Sequence, residues 1–139
     1  MIAFNLGYPE LIVALSRPAT AEDMQEIAVA TLRQTRSPIN PDEPELMYAT
    51  VEGKNLPDRL LKAASHGVIT ALPGSLAGAP SPNSAFTAEV GTFLISPFGE
   101  ASGTVRAYCA GGCDNVWRFV LRKQNGRWIV VSRRLELIA

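Results

Sequence analysis

The last quarter of the chain, AYCAGGCDNVWRFVLRKQNGRWIVVSRRLELIA from Ala107 to Ala139, constrains the fold most. Two runs rich in β-branched and aromatic residues, at about 115–123 and 127–138, flank Asn125-Gly126, a dipeptide diagnostic of a tight β-hairpin. Its register follows from the need to bury one face. A two-residue turn at Asn125-Gly126 pairs Leu121 with Val130 and Trp117 with Arg134, which throws the two apolar faces out of phase. A three-residue loop of Gln124, Asn125 and Gly126, with Gly126 as a left-handed bulge, pairs Lys123 with Arg127 instead. It then aligns Leu121 with Ile129 and Phe119 with Val131, and sets Arg122 across from Trp128. That register is the expected one. Its core face is Trp117, Phe119, Leu121, Ile129, Val131, Leu135 and Leu137, with Arg133 a misfit in the row. The second face, with Arg118, Val120, Arg122, Trp128, Val130 and Arg134, is expected to be half exposed.

Upstream of the ribbon the pattern is first helical, then extended. Pro9 to Ser16 predicts a short helix, with Pro9 at its first position, where a missing N–H costs nothing. Thr20 is an N-cap with Asp23 three residues on, and Met24, Ile27, Ala28, Thr31 and Leu32 form one apolar stripe. Those signals predict a helix over 20–36, its acids near the positive end and Arg33 and Arg36 near the negative end. Residues 38–45 (PINPDEPE) read as a rigid acidic loop, and Leu46 to Val51 as a short strand or a helix entry. Pro57 starts a second helix that Gly67 is expected to stop. Val68 to Leu72 reads as a strand, residues 73–84 as a Pro/Gly/Ser-rich loop, and 85–96 and 102–110 as extended. Helices first and an antiparallel meander after predict one α+β domain over residues 1–139, its helices packed on one face of the sheet.

Composition narrows the function classes. Thirteen basic residues balance thirteen acidic ones, so no global charge points to nucleic acid or an anionic membrane. The local basic set Arg118, Arg122, Lys123, Arg127 and Arg134 lacks the interleaved stacking aromatics of a nucleic-acid surface. A solvated sheet face, with Arg122 over Trp128, is the expectation. No segment approaches the roughly 18 apolar residues that span a bilayer, so no membrane insertion is expected. The first residues lack a basic n-region, and Pro9-Glu10 interrupts their apolar run, which makes a poor leader. Cys109 and Cys113 stand four positions apart, and Gly111-Gly112 lets the chain bend enough to bridge them. A bridge implies an oxidising, exported setting, whereas a pair of reduced thiols fits the cytoplasm. Two cysteines and one distant histidine do not furnish four zinc ligands, so neither metal nor other cofactor is expected.

The order of elements, with Val116-Trp117-Arg118-Phe119-Val120-Leu121 and Asn125-Gly126-Arg127-Trp128-Ile129-Val130-Val131, resembles the nuclear-transport-factor-two-like superfamily of α+β cones. Tyr108-Cys109-Ala110-Gly111-Gly112-Cys113 is similar to the Cys-Gly-x-x-Cys-Gly corner of uncharacterised, often exported bacterial members, with Ala110 where they carry glycine. The resemblance covers about the last 55 residues and implies N-terminal helices on a curved C-terminal antiparallel sheet, together with self-association through that sheet. Enzymes of the superfamily place an acid, histidine or tyrosine inside the cone. No residue here matches such a motif, so no catalytic residue is assigned.

Two site hypotheses follow. The first is a non-catalytic binding or interaction domain that associates with a second copy or a partner through Trp128, Arg122 and Arg118. The second is a small-molecule binder or an isomerase- or hydrolase-like enzyme using the cone interior. Its pocket candidates are Arg133, stacked on Trp117 and partnered by Glu89, together with Tyr108. His66, the sole histidine, is read as a helix C-terminal cation.

Overall fold

The computed structural model describes residues 15–36, 44–78, 84–109 and 112–138. All but the last two residues of the helix expected at 9–16 and most of the acidic loop at 38–45 lie outside that set, as does the side chain of Leu137. In chain order the elements are β1 (Arg17–Pro18), α1 (Ala21–Leu32), β2 (Glu45–Val51), β3 (Lys54–Asn55), α2 (Asp58–Ala64), β4 (Ile69–Pro73) and a 3-10 turn (Gly74–Leu76). Strands β5 (Ser84–Val90), β6 (Leu94–Ile95), β7 (Glu100–Tyr108), β8 (Asp114–Gln124) and β9 (Arg127–Ile138) complete the set. They form an open, mostly antiparallel sheet of nine strands, with both described helices in the N-terminal half. The fold is α+β, as the order of sequence patterns implies.

Helix α1 forms for the reasons legible in its sequence. The Thr20 hydroxyl accepts from the Asp23 N–H at 3.1 Å, and Met24, Ile27, Ala28, Thr31 and Leu32 are buried. It stops at Leu32 rather than 36, because the last turn tightens through Gln34 N–H to Thr31 O and Thr35 N–H to Leu32 O, bonds that satisfy terminal carbonyls early. Helix α2 ends at Ala64, where the Ser65 hydroxyl donates to Leu61 O at 3.0 Å. Gly67, with φ +54°, serves instead in the tight turn that sets His66 against Ile69.

The sheet is less uniformly antiparallel than a meander. β2 is flanked by two parallel partners, with Met47 beside Ala71 of β4 and beside Phe86 of β5. Parallel neighbours need a crossover, and α2 lies in the chain between β2 and β4. From β5 onward the order is antiparallel: β5 pairs with β7, β7 with β8, and β8 with β9. One face of the sheet carries the core, with Phe86, Val90, Phe93, Val105, Phe119 and Leu121 buried beneath the helices.

The final hairpin departs from the expected register. Asn125 and Gly126 both have positive φ, 53° and 78°, the requirement of a two-residue type I′ turn, and Gln124 pairs with Arg127. The phase conflict anticipated for that turn is real, but it is resolved further along the strand. Leu121 pairs with Val130 and Val120 with Ser132, so Val131 is a bulge, and a second register shift leaves Glu136 extra. Each bulge moves one residue out of alternation. Trp128 and Val130 therefore join the core side, Trp128 at 5% exposure, while Ile129 and Val131 stand 40% and 47% exposed. Trp117, Phe119 and Leu121 keep their expected inward orientation.

Candidate functional site

The bulged hairpin rises beside α1, and α2 lies along its other flank. Three segments distant in sequence thereby wall an open groove of about 760 Å³ over the back of α1. Val29 and Ala30 make its half-buried floor, Leu60 and Ala63 one wall, Trp128 and Val130 the other. The polar groups around it are mostly committed. Arg59 donates to the Gln25 side chain at 3.2 Å, and Arg33 donates to Ala63 O at 2.9 Å and Ser65 O at 3.4 Å. Arg33 thus serves the C-terminus of α2, not that of its own helix. The C-terminal cation of α1 comes from β9 instead, where Arg133 donates to Gln34 O at 2.8 Å. A cation so placed contributes about 0.3–1 kcal/mol.

The tip of the hairpin is tied to the start of α1. Trp128 donates its indole N–H to Asp23 Oδ1 at 3.1 Å and its backbone N–H to Glu26 Oε2 at 3.4 Å. Lys123 lies 3.6 Å from Asp23 and 5.4 Å above the Trp128 ring. The indole hydrogen bond, aided by the Lys123 charge, holds the Asp23 carboxyl below the usual aspartate range. A depressed folded-state value stabilises the fold above the ordinary range, and that contribution is lost as the pH falls through it. The Tm gap between the native chain and Asp23→Asn should therefore close as pH drops from 6 to below the aspartate range. A gap that stays constant across that window would remove Asp23 from the tie.

The expected pocket residues separate into two groups on opposite faces. Arg133 does lie over the Trp117 ring, 4.9 Å from its centroid, but its donors face the carbonyl of Gln34. Glu89 is not its partner. On the helix-free face Tyr108 donates its hydroxyl to Glu89 Oε2 at 3.0 Å, and Arg106 lies 4.5 Å over the Tyr108 ring while forking onto Asp114 at 3.0 and 2.7 Å. Burial, then the Glu89 carboxylate, raise the Tyr108 pKa, and the Arg106 fork lowers that of Asp114. The sheet–helix interior is filled by Phe86, Phe93, Phe119, Met47 and Leu121. His66 sits beyond the end of α2 with Nδ1 2.9 Å from Ala64 O, and its Nε2 is buried without a hydrogen-bond partner among the described residues.

Four of the five members of the basic set pair with acids within the fold. Arg122 pairs with Glu100 at 2.6 Å, Arg118 with Glu136 at 2.9 Å, Arg134 with Glu136 at 3.6 Å, and Lys123 with Asp23. Among the described residues Arg127 alone of that set makes no ion pair. Of the three interface candidates, Arg118 and Arg122 lie on the helix-free face of β8, whereas Trp128 is buried against α1. Cys109 and Cys113 lie at disulfide distance across the β7–β8 corner.

No helix among the described residues is long and apolar enough to cross a membrane. No protein family, curated protein or solved structure matches the chain. The groove went unread in the sequence because its walls come from residues 22–34, 59–63 and 127–130. The one signal was Val29-Ala30, an apolar pair on the otherwise polar back of α1.

Proposed function

We propose that the chain is a non-catalytic binding module whose working surface is the helix-free face of β7, β8 and β9, and that a second copy is its occupant. The observation that carries this reading is the charge balance of that face. Arg106 lies between Asp114 and Glu89, Arg122 pairs with Glu100, and Arg118 and Arg134 share Glu136, four cations against four carboxylates. Exposed ion pairs stabilise a fold little, so their main effect is to balance the charge of the face. Half-buried Val116 and Val120 and exposed Ile129 lie between them, a composition with little to repel an identical face. Kinship with the nuclear-transport-factor-two-like cones belongs to the same proposal, supported by helices that precede an antiparallel β7–β8–β9 meander.

Light scattering after gel filtration tests it. The native chain should show a concentration-dependent dimer, and Ile129→Glu should run as a monomer with an unchanged far-UV spectrum. A strict monomer at every concentration would sink the reading. If the monomer were also stabilised by a small molecule, with Ala30→Trp abolishing the effect, the groove over α1 would take over as the binding site.

A further inference from the structure

The β7–β8 corner holds two sulfurs whose pairing the sheet does not need. Strands β7 and β8 are already in register up to the last pair before it, Tyr108 with Asp114. The corner carries its own backbone bonds, Cys109 N–H to Cys113 O at 3.0 Å and Gly112 N–H to Cys109 O at 3.2 Å. Below it the Arg106 fork on Asp114 ties β7 to β8, and the Tyr108 bond to Glu89 ties β7 to β5. The loop that a bridge closes is among the shortest possible, where cross-linking adds least to stability. Neither sulfur is sealed in the core. Cys109 and Cys113 are half-buried, and the intervening Gly112, with φ +95°, is exposed with open space where a side chain would stand.

From that geometry we infer that Cys109 and Cys113 form an exchangeable dithiol–disulfide couple, taking as its co-reactant a small dithiol or the thiolate of a redox partner. Attack of the incoming thiolate on the Cys113 sulfur, which adjoins exposed Gly112, forms a mixed disulfide and expels Cys109 as thiolate, which takes a proton from water. The second thiol of the reductant then attacks its own sulfur in the mixed disulfide, expelling Cys113 as thiolate. Two electrons pass from the dithiol to the bridge, and the reductant leaves as a disulfide. The reverse sequence closes the bridge again. The ladder and the Arg106–Asp114 fork hold the corner in both states, so the exchange runs without unfolding.

The test equilibrates the full chain with mixtures of reduced and oxidised glutathione, starting from both ends. Acid quenching, alkylation and intact-mass counting follow, with circular dichroism recorded in parallel. A single two-electron titration curve reached from either direction is expected, with native spectra at both limits and a Tm about 4–8 °C lower in the reduced chain. The double variant Cys109→Ala/Cys113→Ala should keep the native spectrum. Failure of excess dithiol to reduce the native chain, failure of oxidised glutathione to close the thiols, or loss of the native spectrum on reduction would each overturn the inference.

Discussion

Trp128→Ala should destabilise the chain by about 3–5 kcal/mol, the range for deleting a buried aromatic ring, whereas Trp128→Phe should cost only about 1–2 kcal/mol. The larger loss follows from burial. At 5% exposure the ring closes the core under the hairpin tip, and truncation leaves a cavity between β9 and α1 that the bulged strand cannot collapse into. Phenylalanine keeps most of that volume but removes the hydrogen bond to Asp23 at 3.1 Å. Asp23 would still have the Thr20 cap and Lys123, and its partial exposure lets water replace the indole, so the second loss stays small. For a domain whose whole stability is about 5–15 kcal/mol, the alanine variant removes about a fifth of it or more. Urea unfolding followed by far-UV circular dichroism reads both values. A loss below about 1.5 kcal/mol for Trp128→Ala with an unchanged denaturant slope would mean that the ring is a surface residue, as a three-residue turn loop implies.

The case of Trp128 shows how far the sequence could be read. The hairpin was legible from Asn125-Gly126, and so was the need for one change of phase between its apolar faces. Where that change falls was not, because turn bulge and strand bulge satisfy the same local pattern. The choice is made by tertiary packing: only the shift at Val131 lets Trp128 reach Asp23 and Glu26 of α1 while Phe119 and Leu121 still face inward. Helix α1 was readable because its cap and stripe are local, as was the place of His66. The parallel pairing of β2 with β4 and β5 left no local trace, since fully paired central strands carry apolar runs without a direction. The candidate site fared worse for the same reason. Arg133 was legible as a misfit with Trp117 as one stacking partner, and it lies over that ring, yet Glu89 and Tyr108 lie across the sheet, because strand partners fix which face a residue takes. The groove depends on three segments meeting, which no one-dimensional pattern records.

Gly103 is a position where the core has no tolerance at all, and substitutions there should be the most informative about the sheet interior. It lies on the core face of β7, opposite Phe119 of β8. A Cβ at that point would stand 2.5 Å from Phe93 Cδ1 and 2.6 Å from Cγ, far inside contact distance. Backbone strain is not the issue, since its φ is not in the left-handed region; the obstacle is the ring. Phe93 is fully buried, and its backbone is held at both ends, with its carbonyl accepting from Ala19 N–H at 2.9 Å and its N–H facing Met24 Sδ at 3.5 Å. It has no room to retreat. Gly103→Ala should therefore cost about 2–3 kcal/mol by overpacking, and Gly103→Val more than about 3 kcal/mol. Phe93→Leu alone should cost about 1–2 kcal/mol through the cavity it leaves. Combined with Gly103→Ala it should recover part of the loss, because the new methyl fills the space the ring vacates. The double-mutant cycle should show a favourable coupling of about 1 kcal/mol or more, measured by urea unfolding. Additivity within about 0.5 kcal/mol would separate the two residues and refute the packing of Phe93 on Gly103.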